Sequence, residues 1–452
     1  MKNIADIPYT TAEFDAFGKA LNQPQVADDV TDVIVVSHGW NNTRADAEEL
    51  YTKLFTSFVA VTKDQAKIQG LKLALIGIIW PSHKFDELMS EPPGADKSAG
   101  GAASLDEGGD SEGAQGAMHE AIEKVSPLFG SPEQKATLAK LHDLVPQLEE
   151  STAAQSEFVV TLRQLLGGEA ANADQVHPED SSDVFFEGNP QNIFDNVKLP
   201  APASNAGPAV TDQPTDDDET GVGPVTGGAA GFADLFSKAA NAVVSLMNHA
   251  TYFQMKKLAG TVGKEGVAPL IDRLVAGKPH RKIHLAGHSF GGRVVTATAA
   301  ASKTKQLRSM SLLQAAYSHN GLSASKGGYF RSVIDDHRVA GATIITYSKH
   351  DRAVGLAYPA ASRINGDTAM AFGKADDDFG GMGSSGAQNM EPDEVSTTAT
   401  ELLAVGAPYS LQAGKIHNLN GDQYIIDPKG GDAHGFVFVP EVAWAISQAM
   451  LV

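Results

Sequence analysis

The chain has 452 residues, 35 Lys and Arg against 55 Asp and Glu, and a formal charge of −20 at pH 7. That balance argues against a nucleic-acid partner, whose backbone needs a basic face, and 42% hydrophobic residues with 20% charged exclude the collagen-like and wholly disordered classes. With no cysteine, disulfides, thiolate nucleophiles and Cys-based zinc sites drop out together.

The opening MKNIADIPYTTAEFDAF has no apolar stretch of the kind a secretory signal carries. No later run approaches the roughly 18 unbroken apolar residues of a spanning helix. The expectation is a soluble protein without a Sec signal and without a transmembrane segment, cytoplasmic by default, with export by a signal-less route left open. Val33 to Ser37 predicts a strand, Thr43 to Phe58 a helix and Leu71 to Trp80 a second strand. Residues 84 to 231 then hold 27 acidic and 7 basic residues, a net charge of −20, while the other 304 residues balance to zero. A neutral body of residues 1–83 and 232–452 therefore carries one acidic insertion, 84–231. Its flanks, about 91–116 and 200–231, lack core-forming residues and read as loose linkers. Between them, MHEAIEKVSPLF, SPEQKATLAKLHDLVPQLEE and SEFVVTLRQLLGG show helical spacing, with Ser131 and Pro132 suited to N-cap and N1. The acidic run Asp216 to Glu219 reads as a solvated cluster.

Past the insertion, a long helical pattern from Phe232 to Leu274 precedes a strand at Lys282 to Ala286, and a helix follows at Gly291 to Lys303. Strands are predicted at Ser309 to Gln314, Thr343 to Tyr347 and Gln423 to Ile426, and a last helix at Pro440 to Met450. Short apolar β-branched runs alternating with helices predict an α/β fold, a mostly parallel sheet covered by helices on both faces, with the insertion as a partly helical cap.

KIHLAGHSFGGRVV runs from strand to helix through Gly287-His288-Ser289-Phe290-Gly291, the spacing of a G-x-S-x-G nucleophile elbow. So sharp a turn needs small residues two before and two after the serine, and Gly287 and Gly291 supply them. Ser289 would sit at the positive end of a helix, with the Phe290 N–H aimed at a developing oxyanion. A second N–H is assigned to the backbone of Trp40 in VIVVSHGWNNT, where Gly39 permits the turn and His38 is read as a structural hydrogen-bonding residue. In this type of site the chain order is serine, acid, histidine. Downstream histidines are His319, His337, His350, His417 and His434, with His288 inside the elbow. His434, in the loop before the last helix, is the expected base, with His417 second. Asp351, just past a strand end, is the expected acid, with Asp427 and Asp432 as substitutes. Asp335 and Asp336 face the wrong edge.

These motifs resemble those of the α/β-hydrolase superfamily, and more narrowly its bacterial serine-esterase or lipase-like group with an HGYNN- or HGWNN-type oxyanion loop. The matching stretches are HGWNNT, IIWPS, YFQMKKLAGTVG, GHSFGGRVV, YSKHDRAVG and DAHGFVFVPEVAWAI. They follow one another through the body and leave the insertion unmatched. The resemblance implies the α/β-hydrolase fold, esterase chemistry, and Ser289, Asp351 and His434 as its triad.

The insertion leaves the body after Trp80-Pro81-Ser82, so it is placed to act as a lid. Phe85, Leu88, Phe129, Phe185, Phe186, Ile193 and Phe194 are available as an apolar wall, and Trp40, Phe290 and Tyr317 as a pocket floor. A small-molecule or lipid ester with an apolar acyl group is the expected substrate, neutral or cationic because of the surrounding negative potential. No metal or organic cofactor is expected: the Asp376 to Asp378 run fits no EF-hand spacing, and no phosphate-binding fingerprint is present. Two other readings stand beside this one, a non-catalytic binding protein on the same fold and a serine peptidase or amidase.

Overall fold

The computed structural model describes residues 2–82, 111–167, 182–197, 238–357 and 380–452. Phe85, Leu88, both acidic runs and the whole 200–231 flank lie outside them. At the other flank helix formation starts earlier than expected: Ser111 to Gly116, read as linker because they lack core-forming residues, form the first turns of a helix.

Among the described residues is one eight-stranded sheet. It comprises β1 (Lys2–Ile4), β2 (Ile7–Glu13), β3 (Asp32–Ser37), β4 (Leu73–Ile79), β5 (Lys282–His288), β6 (Leu307–Leu313), β7 (Thr343–Tyr347) and β8 (Ile416–Asn420). The order across the sheet is β1-β2-β4-β3-β5-β6-β7-β8, antiparallel only between β1 and β2. Among the described residues the α-helices longer than four residues are α1 (Arg44–Thr62), then α2 (Ser111–Val125), α3 (Pro132–Leu144), α4 (Thr152–Leu165), α5 (Ser182–Glu187) and α6 (Pro190–Asn196) in the insertion. They continue as α7 (Lys238–Thr261), α8 (Ala268–Val275), α9 (Phe290–Ala301) and α10 (Pro440–Ala449).

Burial on both faces explains the unbroken apolar runs of the central strands. In β3, Val33 and Val35 point into the core under α7 to α9, while Ile34 and Val36 join Tyr51, Phe55, Val442 and Ile446 beneath α1 and α10. Each successive residue meets a different helical layer, so polar alternation would cost burial. The insertion does not form a separate core: Met118, Ile122 and Phe158 belong to the same apolar cluster as Val243 and Leu246 of α7. Ser131 caps α3 with a capping box closed by Gln134, and Pro132 is at N1.

Two elements depart from expectation. The last strand is Ile416–Asn420, not Gln423 to Ile426, which forms a turn. The sequence IHNLN at the sheet edge needs only one apolar face, whereas the aromatic-aliphatic QYII reads as more strand-like yet follows the turn after Asn420. The sequence pattern predicts no strand before Val33, yet β1 and β2 pair as an antiparallel hairpin. Its strands are short, and its turn places Ala5 and Asp6 at φ of 46° and 71°, a two-residue reversal whose twist suits a hairpin.

Candidate active site

Every residue of the site stands at or beyond the carboxyl end of a parallel strand. At the end of β5, Ser289 has φ 58° and ψ −126°, and α9 starts at the next residue. Such a backbone is costly for a residue with a Cβ, and the neighbouring glycines make it possible. A Cβ on Gly287 would strike the Gly291 carbonyl, and one on Gly291 would strike the Ser37 carbonyl of β3. The turn is pinned from the adjoining strand end, since the Ser289 N–H donates to Leu313 O at 3.1 Å and the Ala316 N–H to Ser289 O at 3.0 Å. As the first residue of α9, Phe290 has an N–H with no intrahelical acceptor.

The segment after β3 is built by its own sequence. The His38 ring stacks on Trp80 with centroids 5.5 Å apart, and its Nδ1 faces Gly39 O at 2.8 Å. Burial, only partly offset by that bond, pushes its pKa down to about 4, which favours the neutral ring. Asn41 takes φ 63°. Asn42 donates to Trp40 O at 2.9 Å, and Ser82 beyond β4 accepts the Asn41 N–H at 3.0 Å. Thr43 caps α1 in a capping box with Asp46. This fold-back sets the Gly39–Trp40 peptide against the elbow: a Cβ on Gly39 would stand 3.0 Å from Ser289 Oγ. The Trp40 ring meets Phe290 edge-on at 5.9 Å, and its buried indole N–H has no hydrogen-bond partner among the described residues.

His434 and Asp351, 83 residues apart, meet with Nδ1 and Oδ2 at 2.9 Å. Asp351 is 1% exposed, and its other oxygen accepts the Val354 N–H at 2.9 Å. Burial holds the Asp351 carboxyl above the usual carboxylate range, with the His434 imidazole offsetting part of that rise. For His434, burial pulls the pKa down, but the Asp351 charge and hydrogen bond outweigh it, and the net direction is up. The imidazole lies beside the elbow: its ring centroid is 4.7 Å from that of His288, whose Nε2 bonds His434 O at 2.9 Å. An imidazole oriented by a buried carboxylate next to a strained serine can take the hydroxyl proton and later return it.

The alternatives are occupied elsewhere. His417 lies within β8, with its Nε2 accepting the Gln412 N–H at 3.0 Å. Asp432 accepts the N–H groups of Arg352 and His434, and Asp427 those of Lys429 and Gly431, so both carboxylates shape the loop that carries His434. Asp335 and Asp336 pair with Arg331 and Arg338. His319 bonds Ser385 Oγ through Nδ1, and the backbone of His337 takes φ 48° in a turn. The Ala433 N–H donates to His350 O. Tyr317 is buried against Phe330, and its hydroxyl is 3.0 Å from Thr296 Oγ1 in α9.

Of the expected apolar wall, Phe185 and Phe186 connect to the elbow. Both contact the Phe253 ring on α7, at 5.2 and 5.5 Å, and Tyr252 links Phe253 to Phe290. Phe194 instead packs on Phe158 within the insertion, and Phe129 and Ile193 are buried in the common core.

A crevice of about 420 Å³ lies at the opposite edge of the sheet, lined by Arg281, Lys282, Lys305 and Arg308. The buried Asp32 is also in its lining and bonds His284 at 3.1 Å. Among the described residues no group of three or more His, Cys, Asp or Glu side chains could hold a metal ion, and no helix is long and apolar enough to cross a membrane. Comparison with family models, curated proteins and solved structures gave no match, so the chemistry rests on these residues alone.

Proposed function

We propose that the chain is a serine hydrolase of carboxylic esters built on the α/β-hydrolase fold. The observation that carries the reading is the 2.9 Å bond between Asp351 and His434 beside the strained Ser289 turn. The strand order supports it, because Ser289 follows β5, Asp351 follows β7 and His434 follows β8, the serine, acid, histidine order of such hydrolases.

In this reading His434 Nε2 takes the Ser289 proton as Oγ bonds to the ester carbonyl carbon, and the negative charge goes to the carbonyl oxygen. The backbone N–H groups of Trp40 and Phe290 receive it. The intermediate collapses, the carbon–oxygen bond to the leaving group breaks, and His434 returns the proton so that an alcohol departs. Water, deprotonated by His434, attacks the acyl-enzyme, and the acid leaves with Ser289 restored. Asp351 holds the tautomer and offsets the imidazolium charge throughout. The aromatic path from Phe290 through Tyr252 and Phe253 to Phe185 and Phe186 supports an apolar acyl group on the insertion side. The −20 charge of the insertion favours neutral or cationic esters, an effect that salt weakens.

The test is covalent labelling by a fluorophosphonate probe on wild type and Ser289→Ala, with hydrolysis of p-nitrophenyl esters from acetate to palmitate. Labelling confined to a wild type that turns over at least one ester is expected. An unlabelled, inactive wild type would overturn the reading and favour a binding protein on this scaffold.

A further inference from the structure

Gln314, immediately after β6, is fully buried yet has φ 41°, a backbone conformation that a residue with a side chain pays to adopt. Turn formation alone would favour glycine there, so what the side chain does is the informative part. Its Nε2 donates to Ala433 O at 3.3 Å and to His434 O at 3.2 Å, and its Oε1 accepts Thr346 Oγ1 at 3.4 Å. His434 O also takes the His288 Nε2–H at 2.9 Å. Burial pushes His288 down to about 3, which favours the neutral ring, and against a carbonyl oxygen its Nε2 is the donor.

One carbonyl thus receives two side-chain donors, one from the residue preceding Ser289 and one from the end of β6. The same β6 extension bonds the Ser289 backbone on both sides, through Leu313 O and the Ala316 N–H. It therefore ties the serine turn and the histidine loop to one support, although 145 residues of chain separate Ser289 and His434.

We infer that Gln314, with His288, is a positioning clamp that fixes the His434 backbone relative to Ser289, so that its imidazole meets the hydroxyl without depending on the long loop carrying it. This rests on the hydrolase reading above. Asp351 sets the rotation and tautomer of the ring; the clamp sets where the ring stands. Misplacement by about 1 Å can cost on the order of a hundredfold in rate.

The test compares wild type, Gln314→Met, which keeps the length without a donor, and Gln314→Gly, which removes the donor and relieves the positive φ. The readouts are the rate constant and the half-saturation concentration for fluorophosphonate labelling, and thermal melting. The clamp predicts labelling slowed about tenfold to a hundredfold in both variants at unchanged half-saturation, with Gln314→Gly melting no lower than Gln314→Met. Labelling at the wild-type rate in Gln314→Gly would overturn the clamp and leave Gln314 a turn residue. A wild type unlabelled at Ser289 would instead overturn the hydrolase reading, and the clamp with it.

Discussion

Replacing Asp351 by asparagine separates the orientation of His434 from the integrity of the fold. The carboxylate is buried and makes two bonds, to the Val354 N–H and to His434 Nδ1, each 2.9 Å. Asparagine keeps the shape and the first bond but turns an N–H toward Nδ1. The imidazole then carries its proton on Nε2 and has no lone pair for the Ser289 hydroxyl. With the tautomer wrong and the imidazolium charge no longer offset, kcat should fall by about three to four orders of magnitude, roughly 4–5.5 kcal/mol of barrier. KM should hold, since Asp351 lies behind the ring. The pH profile gives a second signature. In the wild type the raised His434 pKa means that activity climbs with pH through a midpoint above the ordinary imidazole value. Without the carboxylate, burial is opposed only by the weaker Asp432 charge, and the midpoint of the residual activity should move toward acid. Stability should not suffer. A folded-state pKa raised by burial means that Asp351 costs stability as pH rises through it, and asparagine cannot ionise. Ester hydrolysis across about pH 5 to 9, paired with thermal melts, reads all three. A kcat within tenfold of wild type, or a midpoint displaced toward base, would refute the assignment of Asp351.

Ser289→Gly should abolish labelling yet raise stability by about 1 kcal/mol, because glycine adopts the φ of 58° without strain; a chemical denaturation curve shows the midpoint moving up. Gly39→Ala would put a Cβ 2.5 Å from that of Ser289, so the loop or the serine must shift. Labelling should slow by at least about tenfold at a stability cost of roughly 1–3 kcal/mol, measured by probe kinetics and melting. Phe253→Ala removes the ring joining Phe185 and Phe186 to Tyr252 and should cost about 3–5 kcal/mol. It should also move the preferred p-nitrophenyl ester to a longer acyl chain, and an unchanged chain-length profile would count against an acyl path there.

The buried carboxyl and imidazole also show why some polar residues could be sorted from sequence only by chain order. Asp351, Asp427 and Asp432 all stand near strand ends or near His434. What separates them is that two spend their oxygens on loop N–H groups, which no sequence pattern announces. The sequence pattern puts the last strand at Gln423 to Ile426, with His417 just before it; the strand is Ile416–Asn420, and His417 is inside it.

The sequence by itself determined what is local. The Gly287-Ser289-Gly291 spacing, the Ser131 cap and the doubly apolar strands follow from sterics and hydrogen bonding within a few residues, where the chain has little choice. Only the tertiary structure decided which carboxylate meets His434, that Tyr317 turns into the core, that the insertion shares the core of the body, and that Gln314 reaches the His434 carbonyl. Those outcomes depend on sheet order and on contacts between segments up to 120 residues apart, and a weakly patterned edge strand such as β8 acquires its place from the neighbour it pairs with rather than from its own residues.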